Sequence, residues 1–530
     1  MPLITRDNPD YHLGHFLIEC LKRRPEAIFQ IDAATDMQES NESVLQRSVR
    51  LARCFRRLGL RPGDVLALGG RNHLDLHIPY YAALMNGLPI AGVDPLFKYD
   101  EIKTFFKIAR PKVAFCQKED CEDYKEAART LGLDTIVFTF DGDNSMNKIL
   151  EDNDDDAPID DFEPTIFDLD KVYAFLISTG GTSGTIKLAA FKHNIWFDKV
   201  LISMAPILSK LGEGEKDENK MGLFLSPAHW YSSFYSALAM LVQNRTKLQT
   251  SAPAMTEHVI DIINKYRPVT AIMSPSVVTS ILRHEKECDF TCFEALPLGG
   301  GNINKDFLIK LRELTRDPTV AFQSYGQTEN LGLVFIPNPL GPLGNCGKRM
   351  SSVLVKLVDP ETGKEITEAN TTGELWTKTA CFSEYYNSPE ETAMVFSEDG
   401  YYKTGDLLYR DEEDNFFFVE RLKMLIKYRN YHIVPPELEE LILTHPGVQE
   451  VSVTGVPHPE DGEWAVACVV IQKGAKVTAK QIEDLVADKL SDSKRLRGGV
   501  IFMDELPYTS TGKLARGKLR QMVIELKNKN

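Results

Sequence analysis

Apolar residues along this chain alternate between helical spacing and short continuous runs. In "ESVLQRSVRLARCFRRLGL" they recur every three or four positions, predicting a helix with one buried face, and "RPGDVLALGG" reads as a turn entering a buried strand. "LDLHIPYYAALMNGLPIAGV" and "YDEIKTFFKIARPKVAFC" repeat the plan. Successive helix-strand units with short connections predict an α/β fold built on a doubly wound parallel sheet. No repeat of fixed period occurs.

The pattern changes after Asp406. "NFFFVERLKMLIKYRNYHIVPPELEELILTHPGVQEVSVTGV" predicts strand, turn, strand, a helix from about Pro436 to Thr444, and a further strand. "AKQIEDLVADKL" and "GGVIFMDEL" add a helix and a strand, completing an α+β unit of about 110 residues. The expected boundary lies at Val419 and Glu420, giving a large domain over 1–419 and a small one over 420–530. A length of 530 residues exceeds what one core supports, which agrees with two domains.

Composition narrows the function classes. With 43% apolar and 26% charged residues the chain reads as an ordinary soluble protein, and a net charge of -15 argues against an extended nucleic-acid or anionic-membrane surface. Small molecules or proteins are the expected partners. The acidic stretch from Glu151 to Pro164 lacks apolar periodicity and reads as a solvated loop. Nine scattered cysteines, a polar start, no apolar run of membrane-spanning length and no Ser-Lys-Leu ending together predict a reduced, cytoplasmic protein.

Three clusters carry candidate chemistry. The strand "VYAFLIS" leads into "TGGTSGTIKL", where Thr179, Gly181, Thr182, Ser183 and Gly184 offer backbone and hydroxyl donors and Lys187 adds positive charge, a phosphate cradle by composition. It is not a P-loop, because G-x-x-x-x-G-K-[ST] is absent. "LPLGGGNINK" places Gly299, Gly300 and Gly301 after a second strand. "VAFQSYGQTENLG" then gathers Tyr325, Gly326, Thr328 and Glu329, an aromatic for a purine, a hydroxyl for phosphate and a hard oxygen ligand for Mg²⁺. Loops at strand carboxyl ends are where open α/β sheets bind ligands.

Taken in order, these motifs resemble the adenylate-forming superfamily of acyl-CoA ligases, adenylation domains and firefly-type luciferases. "TGGTSGTIKL" is similar to its phosphate loop, with Ser183, Ile186 and Leu188 where the pattern has Thr, Pro and Gly; "YGQTE", "TTGELW" and "YYKTGDL" match further elements. The C-terminal segments resemble the insect luciferase and coumarate-CoA ligase branch, with Asn430 at a usual Gly and Glu420 at a usual Asp. The resemblance implies ATP as a substrate and Mg²⁺ at Glu329, with Asp406 and Arg421 on the ribose and Thr328 on phosphate. Lys513 would serve adenylation, and Lys427 would replace it after the small domain swings about residues 420–423.

The carboxylate pocket is the least familiar part. His229, Trp230 and Tyr231 stand where beetle luciferases resemble His-Gly-Phe-Gly, and Gly332 stands where they have a serine. These side chains are either core packing or the lining of an aromatic pocket for a different substrate, together with Gly300. Two fates of the adenylate stay open. Oxidation by O2 with light emission, on a luciferin unlike the beetle one and in the manner of a fly glow-worm enzyme, is the favoured expectation; thiolysis by coenzyme A is the alternative. A binding protein that has lost turnover is a third reading, and it predicts ATP binding without pyrophosphate release.

Overall fold

The computed structural model describes residues 8–142, 145–152, 157–180, 186–195, 220–301, 305–350, 352–379, 381–429, 431–508 and 514–529. The chain divides into two compact units, residues 1–340 with 379–396, and residues 341–378 with 397–530. The sequence boundary at Val419 and Glu420 falls inside the second unit, in the strand Asn415–Arg421.

In the first unit the helix-strand alternation produces the expected parallel sheet. Leu66–Gly69 lies between Ile90–Val93 and Val113–Cys116, with Ile136–Thr139 beyond the latter and Tyr173–Gly180 beyond the former, all parallel. The helices Tyr99–Ala109 and Cys121–Thr130 return the chain between strands and bury Phe105, Phe106 and Tyr124 against Ala67, Ala91 and Ala114. Small residues on the strands leave room for large rings on the helices. The edge is antiparallel: Ile186–Lys192 pairs with Tyr173–Gly180, and Glu384–Tyr385 pairs with Ile186–Lys192.

A second sheet of this unit joins distant segments. Ile28–Asp32 runs parallel to Thr246–Gln249, then come Met221–Leu223 and Thr270–Ala271, with Gln38–Ser40 antiparallel at the other edge. The helix Asn41–Arg57 follows that edge. Its cap Ser40 accepts from the Ser43 amide at 3.2 Å, Glu42 lies in the first turn, and Arg56 and Arg57 lie in the last, so both ends complement the helix dipole.

The second unit begins with an antiparallel sheet in the order Asn345–Arg349, Asn415–Arg421, Tyr402–Arg410, Gly373–Lys378, Leu354–Val358 and Glu365–Ile366. A further sheet is built on the long hairpin Val448–His458 and Gly462–Ile471, extended by Ile426–Tyr428, Tyr431–Ile433 and the parallel strand Val500–Phe502. Ile433, Leu438, Ile442 and Val486 pack against Val453, Ala467 and Val469 to form its core. The predicted helix from Pro436 to Thr444 spans Pro435–Leu443, beginning on the two prolines that the first turn tolerates. Among the described residues no helix is long and apolar enough to cross a membrane, and no group of three or more His, Cys, Asp or Glu could hold a metal ion.

Candidate active site

Thr179 and Lys187 lie opposite one another in the hairpin of Tyr173–Gly180 and Ile186–Lys192. The sequence reading of Thr179 to Leu188 as one loop is corrected here: Thr179, Gly180 and Ile186 to Leu188 are strand residues. Apolar Ile186 and Leu188 favour strand pairing, which the proline and glycine of the related pattern would weaken. Gly181, Thr182, Ser183 and Gly184 lie outside the described residues.

Lys187 is mostly covered. It forms an ion pair with Glu391, and its ammonium lies 5.2 Å above the Tyr385 ring centre. The Tyr385 hydroxyl donates to Glu329 Oε1 at 2.8 Å, so one aromatic residue links the lysine to the expected metal carboxylate. Glu329 is buried in the short 3-10 turn Thr328–Asn330 that joins the paired strands Gly326–Gln327 and Gly332–Leu333, while Thr328 is half-buried. Gly326 permits this hairpin, since a Cβ there would lie 2.0 Å from the Gly332 carbonyl oxygen. Tyr325 is buried with its ring 5.6 Å from that of Phe335.

Parallel pairing brings the second glycine cluster alongside. Leu298 is in register with Gln323, and the Ser324 amide donates to the Leu298 carbonyl at 2.9 Å, so Gly299 and Tyr325 leave neighbouring strand ends. Gly300 has φ of +84°, a left-handed conformation natural to glycine, and Gly300 and Gly301 are exposed.

His229 is buried beside Asp94, with Nε2 to Oδ2 3.4 Å, and its backbone crosses Gly92 where a Cβ would be 2.5 Å away. Burial lowers the imidazole pKa to about 4, against the opposite pull of Asp94, so the ring is neutral near pH 7. Trp230 caps the helix Tyr231–Gln243, and the Tyr231 ring stacks on Tyr235 at 5.9 Å. A Cβ at Gly332 would lie 2.3 Å from the Tyr231 ring. Tyr231 and Gly332, a hundred residues apart in sequence, are therefore direct neighbours.

In the second unit, Asp406 faces Arg421 across paired strands, with Arg421 Nε 3.0 Å from a carboxylate oxygen. Asp406 is buried, and its amide donates to Thr404 Oγ1 at 3.1 Å. The "TGELW" motif supports this turn: Glu374 accepts from the Gly405 amide at 3.1 Å and from the Trp376 indole at 2.7 Å. Glu420 is also buried and accepts from the Arg421 amide at 2.7 Å; burial pushes its carboxyl pKa up while Arg516 pulls it down. Arg516 makes a two-pronged pair with Glu439 at 2.7 and 2.8 Å. Lys427 is exposed on Ile426–Tyr428. Lys513 and Asn430 lie outside the described residues.

Sequence motifs led to Lys187 and Glu329, but nothing in them pointed to Tyr385, Glu391 or Asp94. Tyr385 reaches the site through its register with Ala189, a pairing across distant segments that no local pattern announces.

The α/β layers and the glycine-lined strand ends are those expected of an adenylate-forming enzyme. Residues 19–386 match the AMP-binding enzyme model and residues 437–513 the AMP-binding enzyme C-terminal domain, and the chain belongs to that family. It is 29% identical over 510 residues to a luciferin 4-monooxygenase of Photuris pensylvanica, covering 92% of this chain and 90% of that one. It is 26% identical to a probable 4-coumarate–CoA ligase of Dictyostelium discoideum, covering 97% and 96%. ATP-bound MatB of Rhodopseudomonas palustris has the same fold, with a TM-score of 0.83, 23% identity and coverage of 96% and 99%.

Proposed function

We propose that this adenylate-forming enzyme joins an organic carboxylate to AMP and that O2 then oxidises the adenylate with emission of light, on a luciferin unlike the beetle compound. The carrying observation is the likeness to the Photuris luciferin 4-monooxygenase along nine-tenths of both chains. Tyr231 packed on Gly332 supports a differently shaped pocket. Thiolysis of the same adenylate by coenzyme A is the second reading, favoured by the similar likeness to the Dictyostelium ligase.

In the first half-reaction a carboxylate oxygen attacks the α-phosphorus of ATP, and the bond to the β-phosphate oxygen breaks to release pyrophosphate. Two anions must meet, so the protein's task is to supply cations and oriented donors. Lys187 and the Thr179 to Gly184 segment hold the phosphates, with Thr328 adding a hydroxyl. Glu329 suits Mg²⁺, being a buried carboxylate whose one oxygen is fixed by Tyr385. Bound there, Mg²⁺ would offset phosphate charge. Tyr325, Gly326 and Gly299 to Gly301 border the nucleotide, Asp406 accepts from the ribose hydroxyls, and Arg421, paired with Asp406, also contacts the ribose. His229, Trp230, Tyr231, Gly300 and Gly332 line the carboxylate side. Lys513 acts in adenylation, and Lys427 in the second step, after the domain from residue 420 onward changes pose.

Purified protein with ATP, Mg²⁺ and O2, supplied with small-molecule extracts of luminous insects including glow-worms, is expected to emit ATP-dependent light. A coenzyme A thioester assay with fatty and aryl acids runs in parallel. Thioester without light would replace the first reading by the second.

A further inference from the structure

Two side chains outside every sequence motif converge on the phosphate-binding lysine and on Glu329. Glu391 is the ion-pair partner of Lys187, with side-chain exposures of 32% and 13%. Its position is fixed locally: the helix Pro389–Val395 is tied to the strand Glu384–Tyr385 by Thr392, whose hydroxyl accepts from the Tyr385 amide at 2.9 Å and donates to the Ser388 carbonyl at 2.9 Å. The Tyr386 amide donates to the Leu188 carbonyl at 2.7 Å, one residue beyond Lys187. Glu391 and Lys187 thus belong to one hydrogen-bonded edge. Tyr385, from the same edge, lies beneath the ammonium and donates to Glu329.

A lysine is a compact point charge, and a neighbouring carboxylate offsets the field that an incoming phosphate would meet. Glu391 therefore keeps Lys187 in place before nucleotide arrives, and its charge opposes the phosphates once they do. Tyr385 acts differently. By donating to one oxygen of Glu329 it fixes the carboxylate's rotation and leaves the other oxygen to face a cation.

The geometry points to Glu391 and Tyr385 as positioning residues of the ATP site, Glu391 as a built-in competitor of the nucleotide phosphates for Lys187 and Tyr385 as the group that orients Glu329. This rests on the assignment of Lys187 to phosphate and Glu329 to Mg²⁺ made above.

The test is calorimetric titration of the whole protein with ATP, with and without Mg²⁺ and with no carboxylate present, so that binding is read without turnover. Glu391→Gln is expected to tighten ATP binding about threefold, the scale of a partly exposed ion pair, and to have no effect in a Lys187→Ala background. Tyr385→Phe is expected to reduce the factor by which Mg²⁺ tightens ATP binding while leaving the Mg²⁺-free value in place. Unchanged or weaker ATP binding in Glu391→Gln, or the same gain without Lys187, would overturn the competitor role. Equal weakening by Tyr385→Phe with and without Mg²⁺ would reduce Tyr385 to a packing residue. If Lys187→Ala itself leaves ATP binding unchanged, the phosphate assignment falls and this inference with it; if Lys187→Ala weakens ATP while Glu391→Gln does nothing, the competitor role alone falls.

Discussion

Tyr231 occupies the space into which residue 332 would project a side chain, its ring 2.3 Å from where a Cβ on Gly332 would lie. Gly332 also has φ of +95°, so two independent constraints favour glycine there. Gly332→Ala is expected to lose about 1–3 kcal/mol of stability, read as a lower urea midpoint. Tyr231→Ala in that background should recover only the steric part. On its own, Tyr231→Ala should lower KM for bulkier carboxylates relative to smaller ones.

Arg421→Ala should raise KM for ATP about tenfold or more, the scale of a lost hydrogen bond to a charged group, because Asp406 then loses the guanidinium beside it. Arg421→Lys should recover little, since a lysine ammonium lacks the planar fork. Steady-state kinetics at saturating carboxylate measures both.

Lys513→Ala should slow pyrophosphate release about a hundredfold or more while supplied acyl-adenylate is consumed at near the native rate. Lys427→Ala should do the reverse. Equal loss of both half-reactions in either variant, with folding intact, would end the two-lysine scheme.

Lys247 gives a pH prediction unrelated to catalysis. It is fully buried on Thr246–Gln249, its ammonium nitrogen 2.9 Å from His77 Nδ1 and 5.1 Å above the Phe224 ring centre, and burial lowers its pKa to about 7 despite Glu39. His73 and His77 also face this region, both held neutral chiefly by burial. Because the folded pKa lies below the unfolded value of about 10.4, the unfolded chain binds more protons between them. Stability should therefore rise as pH increases from about 7 towards 10, by a few kcal/mol at most. Urea midpoints across that range should show the slope in the native protein and lose it in Lys247→Met.

Acid should act through the histidines. Burial lowers His12 to about 3, with His15 adding to the effect, and lowers His229 to about 4. Both pKa values fall below the unfolded value of about 6.5, so stability should drop as pH falls from about 6.5 towards 4. His12→Gln should flatten part of that slope in thermal melts.

The sequence made the parallel sheet and the motif residues legible because both are written locally, one as periodic apolar positions and the other as glycine, hydroxyl and charge at short spacing. Lys187 and Glu329 could be found that way, whereas Asp406 and Arg421 came from the resemblance to the adenylate-forming superfamily. What remained hidden depends on register. Tyr385 reaches Glu329 only because it pairs with Ala189, nearly two hundred residues earlier, and Asp94 meets His229 from a segment far from it in sequence. The phosphate segment was read as loop because glycines and hydroxyls dominate it, whereas pairing across Tyr173–Gly180 and Ile186–Lys192 overrides that local preference at both ends.

The register of Thr179 with Lys187 bears on how this motif can change over evolutionary time. Side chains alternate between faces of a strand, and Leu188, next to Lys187, is fully buried. A slip of one residue in the pairing of the two strands would turn the lysine into the core and the leucine outward. A substitution at Ile186 leaves that alternation untouched. The residues beside the lysine can thus change while the register that aims it is held by the sheet.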